Sequence, residues 1–261
     1  MEFDVQKTTE KIIEDIREYY KKSNAKGAVI GLSGGKDSSV VASLMVKALG
    51  KENVIGLWLP CYSKESDRDD ARSVADCLGI RLIEHDLTSM YDDIVYTVKN
   101  EFNLNRNQDE LLKNANLNIK PRLRTNILYY YAAFFTELYH GLYLVCGTSN
   151  KSEIYVGYFT KGGDNVCDIG PIRHLYVDEV IQVGDYLNMV PERIIHKTPD
   201  DGLSGQSDEE KLGFSYSDVK KVSLEEESGI VDNSLNNDTR EKILSKHRAN
   251  AHKFGIPTFR R

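Results

Sequence analysis

Nowhere does the chain reach the run of about 18 apolar residues that a membrane-spanning helix needs. The N-terminus, MEFDVQKTTEKIIED, also lacks the basic-then-apolar layout of a secretory leader. A cytoplasmic protein with no membrane partner is expected. Cysteine is scarce: Cys61, Cys77, Cys146 and Cys167 form no CxxC pair and have no His at ligand spacing. That argues against a zinc ribbon or a cluster and leaves buried or half-buried thiols as the default. A basic excess is missing too, since 34 Lys and Arg face 40 Asp and Glu for a formal charge of −6. An extended nucleic-acid surface is therefore not expected, although a local basic pocket for a phosphorylated small molecule remains compatible. The 261 residues, 40% of them hydrophobic, can bury one substantial core, so residues 1–261 read as a single domain with a decorated edge.

What is present begins with Ser33-Gly34-Gly35-Lys36-Asp37-Ser38-Ser39, directly behind the apolar run Ala28 to Leu32. The run suits a buried parallel strand. From Asp37, the apolar positions Val40, Val41, Leu44 and Ala48 fall at helical spacing and end at Gly50. A loop between strand end and helix start offers free backbone N–H groups to an anion, and its two glycines allow close approach. The hydroxyls of Ser33, Ser38 and Ser39 are expected to add donors. Asp37 would repel phosphate unless a divalent cation lay between them, which points to a nucleotide with Mg2+. The alternative is a Ser/Gly turn with Asp37 as a helix cap. The pattern is not GxxxxGK[ST], because an acid follows Lys36.

Further along, strand and helix alternate. Thr9 to Lys22 reads as an amphipathic helix, Asn53 to Leu59 as a strand, Ser66 to Leu78 as a helix stopped by Gly79, and Arg81 to Asp86 as a strand. The alternation indicates a parallel sheet with helices on both faces. Residues Thr88 to Asn118 are polar and Asn-rich, either a mobile connection or short surface helices. Pro121 to Tyr139 reads as a helix with Pro121 in its first turn. Its aromatic residues cover nearly the whole circumference, so it is either buried within one subunit or shared between the core and a second subunit in a homodimer. Leu142 to Gly147 is a further strand, Asp200 to Gly213 a loop, and Asn237 to His252 a terminal helix.

In such a sheet, ligands bind at the carboxyl ends of the strands where strand order switches, so the loops after Leu32 and Gly147 should share a crevice. The second loop supplies Thr148 and Asn150 as hydrogen-bonding groups and Glu153 as a hard oxygen ligand, with Lys161, Asp164 and Asp168 on a following Gly-bearing turn. The SGGxDS loop resembles that of the ATP pyrophosphatases. Taken in order, GLSGGKDSS, NIKPRLRTNILYYYA, GTSNKSE, GYFTKGGD with Asp168 and Pro171-Ile172, GQSDEEKLGFSY and His252-Lys253 resemble the ammonia-dependent NAD synthetases. The resemblance implies an α/β fold with a single doubly wound parallel sheet (adenine nucleotide alpha-hydrolase-like) and a homodimer. It also implies adenylation of nicotinic acid adenine dinucleotide by ATP followed by displacement of AMP by free ammonia. By position in the matching motifs, Gly31, Leu32, Ser33, Gly34, Gly35, Lys36, Asp37, Ser38 and Thr148 would contact ATP, and Asp37 and Glu153 would ligate Mg2+. Arg122, Lys161, Asp164, Asp168, His252 and Lys253 would hold the dinucleotide. Tyr129 and Tyr158 would stack on or flank its rings, Tyr129 either from its own chain or across the dimer. No nucleophilic side chain is required, because alignment and electrostatics supply the rate.

Three positions depart from the family pattern. Val177 replaces a usual Lys and Asp200 a usual Ser or Thr, both expected to weaken the hold on the triphosphate. Thr125 replaces a usual Met. These departures leave two other readings open: an amide ligase of the same fold acting on another carboxylate, and a nucleotide-binding protein without catalysis.

Overall fold

The computed structural model describes residues 3–104, 111–198 and 207–259. Helix α1 (Val5–Ser23) begins where the Asp4 carboxylate accepts the Lys7 N–H at 3.0 Å and ends at Asn24 in the left-handed region. Its residues Ile12, Ile16 and Tyr20, four apart, are buried against the sheet. Strands β1 (Ala25–Gly31), β2 (Val54–Trp58), β3 (Arg81–Glu84) and β4 (Leu142–Cys146) lie in the order β3-β2-β1-β4, with every pair parallel.

The period of two along β1 sends its side chains into two cores. Ala28 and Ile30 pack with α1, α2 (Lys36–Leu49), α3 (Glu65–Leu78) and α7 (Val177–Leu187). Val29 packs on the other face with α4 (Thr88–Glu101) and α5 (Lys113–Leu138). A third cluster joins α6 (Lys151–Val156) to α10 (Tyr216–Ser228) and α11 (Asn237–Ala249) through Val156, Val219, Val222 and Ile243. Between α7 and α10 run the short α8 (Glu192–Ile195) and α9 (Asp208–Leu212). The chain walks outward from β1 to β3 and then crosses back to β4 on the other side of β1, so the strand order switches between β1 and β4. That is the doubly wound arrangement expected, with the crevice where it was placed.

Several sequence expectations are corrected. Helix α5 begins at Lys113, not at Pro121, which lies inside it. Gly163 packs closely against this proline, where an added Cβ would lie 3.2 Å from Pro121. Residues 88–101 form the regular helix α4, and 105–110 lie outside the described residues. Residues 208–212, expected in a loop, form a helix because Ser207 and Glu210 make a capping box. The terminal helix stops at Ala249. Cys61 and Cys146 are buried and Cys167 half-buried, but Cys77 is exposed on α3. Among the described residues no helix is long and apolar enough to cross a membrane.

Candidate active site

The loop between β1 and α2 holds itself open with its own serines. The Ser38 hydroxyl accepts the Ser33 N–H at 3.3 Å, lies 3.1 Å from the Ser33 hydroxyl and donates to the Gly35 carbonyl at 3.1 Å. Ser33 in turn accepts the Gly35 N–H at 3.2 Å. Ser39 donates to the Gly35 carbonyl at 2.7 Å and is fully buried, so it faces the core and offers nothing to an anion. The expectation that Ser39 adds a donor is corrected: one helical turn of back-bonding removes it. Gly34 has φ +77°, and a Cβ there would lie 2.5 Å from the Asp67 carbonyl. The N–H groups of Lys36, Asp37 and Ser38, in the first turn of α2, have no helical acceptor, and these residues border the crevice.

Across the crevice, α6 starts with a capping box built on Asn150, which is fully buried. Its side-chain oxygen accepts the Glu153 N–H at 3.1 Å, and its own N–H donates to the Glu153 carboxylate at 3.2 Å. The remaining amide group donates to the Asp37 carboxylate at 3.0 Å. One side chain thus fixes both acids. Burial first, and then the Asp37 charge, hold the Glu153 carboxyl well above the usual carboxylate range, while Lys36 and the Asn150 N–H oppose them. Lys36, buried, lies 3.1 Å from the other Asp37 oxygen.

These groups border a cavity of about 600 Å³. Of the residues expected at ATP, Gly31, Leu32, Ser33, Gly35, Lys36, Asp37, Ser38 and Thr148 line it, as does Glu153, whereas Gly34 sits beneath the loop against α3. Among the described residues no three His, Cys, Asp or Glu side chains group as a metal cage. Two facing carboxylates nevertheless suit Mg2+, which takes one or two from a protein and completes its shell with phosphate oxygens and water.

The family model for NAD synthase matches residues 8–257. The chain belongs to the NAD synthase family. It is 43% identical to the ammonia-dependent NAD synthetase of Carboxydothermus hydrogenoformans over 81% of this chain and 82% of that one. It is 40% identical to that of Methanocaldococcus jannaschii over 95% and 93%. Among solved structures it is similar to the NMN synthetase of Francisella tularensis, with a TM-score of 0.84 and 30% identity over 99% of each chain. The ammonia-dependent NAD synthetase of Campylobacter jejuni gives a TM-score of 0.77 and 31% identity over 99% of this chain and 100% of that one. The chain is accordingly an enzyme of the carbon–nitrogen ligase type.

The family's second group of residues is distributed differently from the first. Tyr158, Asp164 and Lys253 line the cavity, but Arg122, Tyr129, Lys161, Asp168 and His252 do not. Lys253 donates to the Gly157 and Phe159 carbonyls at 2.7 and 2.8 Å, and burial followed by the nearby Lys246 lowers its pKa. Lys161 donates to the His252 carbonyl at 2.7 Å, and Arg122 to the Lys161 carbonyl at 3.2 Å. Asp164 accepts the Thr160 N–H at 2.8 Å. Asp168 braces the sheet, accepting the Val145 N–H at 2.8 Å and the Tyr129 hydroxyl of its own chain at 3.2 Å. The Tyr158 hydroxyl donates to Asp208 at 3.2 Å.

Of the three departures, Val177 begins α7, gives its N–H to the Ser152 hydroxyl at 3.3 Å and does not line the cavity. Asp200 lies outside the described residues. Thr125 is buried at the cavity wall with its hydroxyl on the Pro121 carbonyl at 3.0 Å.

Three cations absent from the expected set also line the cavity, Lys120, Arg124 and Lys197, while Asn150, expected as a hydrogen-bonding group, holds the two acids. Lys197 is balanced by Asp67 at 2.9 Å and Asp70 at 2.8 Å. Arg124 gives Nε–H to the Leu59 carbonyl at 3.0 Å, and burial lowers its pKa. Helical spacing carried a signal for two of them. Residues two apart on a helix point about 200° away from each other, so Arg122 and Arg124 cannot both face one ligand, whereas Lys120, Arg124 and Leu128 share a face.

Proposed function

We propose that this protein converts nicotinic acid adenine dinucleotide to NAD with ATP and free ammonia. The carboxylate attacks the α-phosphorus of ATP and the bond to the β-phosphate oxygen breaks, releasing pyrophosphate and leaving an acyl-adenylate. Ammonia then attacks the acyl carbon, the carbon–oxygen bond to AMP breaks, and a proton is lost as the amide forms. The reading is supported above all by Asn150, which fixes Asp37 and Glu153 on opposite sides of the crevice beside the β1–α2 loop.

In this reading the first N–H groups of α2 bind the leaving pyrophosphate, as helix N-termini bind anions. Asp37 and Glu153 would hold Mg2+ for the triphosphate. Mg2+ supplies charge neutralisation that favours attack of one anion on another. The raised Glu153 carboxyl fits this role, because a buried acid pair awaiting a cation binds a proton more readily. Lys161, Asp168, His252 and Lys253 shape the dinucleotide side. Catalysis then rests on alignment and preorganised charge, with no covalent enzyme intermediate.

The test is direct: incubate the protein with ATP, Mg2+, ammonium and nicotinic acid adenine dinucleotide and quantify NAD and pyrophosphate. Equal release of both is expected; no NAD from a folded, ATP-binding protein would overturn the reading. The likeness to an NMN synthetase favours one second reading, in which the acid is the mononucleotide. Running both acids side by side separates them by kcat/KM.

The same reading includes a homodimer through α5. Tyr130, Phe134 and Leu138, spaced four apart, are 66%, 44% and 49% exposed, while Ala132 and Phe135 face the core. Light scattering after gel filtration should give twice the chain mass, 59 kDa from 2 × 29.6; a monomer at micromolar concentration would refute it.

A further inference from the structure

Lys120 is a buried lysine whose ammonium has no anion among the described residues. The residue is 9% exposed and lines the cavity. Among the described residues it has neither a carboxylate partner nor a hydrogen-bond acceptor. Its Nζ lies instead over two aromatic rings, 5.4 Å from the centre of Tyr62 and 5.2 Å from that of Tyr91. The rings meet edge to face at 5.8 Å. Ring faces stabilise a cation without occupying any of its N–H donors. Three charge-bearing donors therefore stay available at the cavity wall.

The support for this ammonium is built at some cost to the backbone. Tyr62 has φ +58°, in the left-handed region that bulky residues avoid, and its hydroxyl donates to both Asp92 oxygens at 2.7 and 2.9 Å. That bond anchors the ring under Lys120 and leaves the ammonium facing inward. One turn along α5 is Arg124, a half-buried cation with no carboxylate partner among the described residues. Two cations one turn apart at the cavity wall, neither ion-paired among the described residues, call for an anionic ligand.

We propose that Lys120 is a substrate-binding residue whose ammonium, caged by Tyr62 and Tyr91, binds a phosphate oxygen of a nucleotide in the cavity. It works from the α5 wall of the cavity. Leu128 on the same face of α5 lies beside Gly31, where a Cβ would be 3.6 Å from it. Eight residues at about 1.5 Å each place Lys120 about 12 Å farther along the helix axis. The bound group is therefore not the pyrophosphate in the loop. It is either the phosphate that remains on the adenylate or a phosphate of the nucleotide that carries the carboxylate. This inference rests on the nucleotide-ligase reading above.

The experiment compares Lys120→Met, which keeps the aliphatic stem, with Lys120→Arg, which keeps the charge. Melting temperatures establish that both are folded. A lost charge-assisted hydrogen bond predicts about a 10- to 100-fold loss of binding in Lys120→Met, largely restored in Lys120→Arg. If the group is the adenylate phosphate, calorimetric ATP affinity and the KM for ATP change. If it belongs to the other nucleotide, only the KM for that acid changes. Unaltered constants for both nucleotides in Lys120→Met overturn the proposal, as does a loss that Lys120→Arg does not restore. ATP binding is measured without turnover, so failure of the wild-type protein to make NAD is a separate result. A purely structural Lys120 would move the melting temperature and neither binding constant.

Discussion

In the β1–α2 loop, Ser33 and Ser38 hold each other from five residues apart. On the dinucleotide side, Lys161 is held by His252 from 91 residues away, and Lys253 by Gly157 from 96. Local contacts close at small entropic cost and are present whenever the strand and helix are, whereas distant ones order the tail onto the α6 region. In the first half, Lys36, Asp37, Ser38 and Glu153 line the cavity with both acids already fixed by Asn150. In the second half, Lys161, His252 and Lys253 are engaged with the chain itself: their polar groups bond backbone carbonyls. The lesson is that the anion-binding half is preorganised, while the half that recognises the carbon-bearing substrate is held together by contacts a ligand must exchange.

The comparison breaks most severely at Asp37. Asp37→Asn keeps the Asn150 contact possible but removes one charge of the proposed metal pair, so Mg2+-dependent pyrophosphate release should fall by at least about 100-fold. Near-normal turnover would show that the local half does not carry the metal. Gly34→Ala tests the backbone of the same half: φ +77° and a Cβ 2.5 Å from the Asp67 carbonyl should cost about 1–3 kcal/mol of stability by denaturant titration. ATP affinity should fall with it. A neutral substitution would mean the loop is not held against α3 as described.

The same division explains what could be read in the chain. SGGKDSS sits between an apolar run and a helical pattern, so strand, loop, helix and anion site are all local and were legible. Even the sharing of a crevice with Thr148 and Glu153 followed from parallel-sheet topology. Lys113 as the start of α5 was not legible, because Pro121 is a typical first-turn residue and the polar, Asn-rich stretch ahead of it carries little helical pattern. The helical face of Lys120 was legible, but its aromatic support was not, because Tyr62 and Tyr91 lie far from it in sequence. Ser39 misled in the opposite sense, since its place in the motif suggested a ligand while its burial and its bond to Gly35 make it structural.

Lys161→Met probes the long-range half. Its Nζ bond to the His252 carbonyl disappears, the tail loosens, and the KM for the carboxylate substrate should rise about tenfold. ATP affinity should stay within about twofold, and a matching loss for ATP would contradict the division into two halves. A smaller effect distinguishes the acids. Glu153 is raised in the folded protein above its ordinary 4.5, so the folded state binds the proton more strongly and apo-protein stability declines as pH rises from about 4.5 through the folded value. Glu153→Gln removes that decline. Its melting temperature should match wild type near pH 4 and exceed it at pH 8 without ligand, although Mg2+-dependent turnover is lost. Equal melting temperatures across that range would mean Glu153 carries no such penalty.

The smallest effect is expected at Val177. The family pattern suggests that its missing ammonium weakens the hold on ATP, but Val177 lies outside the cavity lining and its N–H is engaged with Ser152 at the start of α7. Beside it, Asp178 and Glu179 already bind Lys220 at 2.7 and 2.9 Å. A lysine introduced at 177 would meet these acids before it met phosphate, and exposed pairs of that kind contribute about 0–1 kcal/mol. Val177→Lys should therefore change ATP affinity by less than about twofold. A tenfold gain in calorimetric ATP binding would show instead that the triphosphate reaches past the loop to α7 and that the preorganised half is larger than the cavity drawn by Asp37, Thr148 and Glu153.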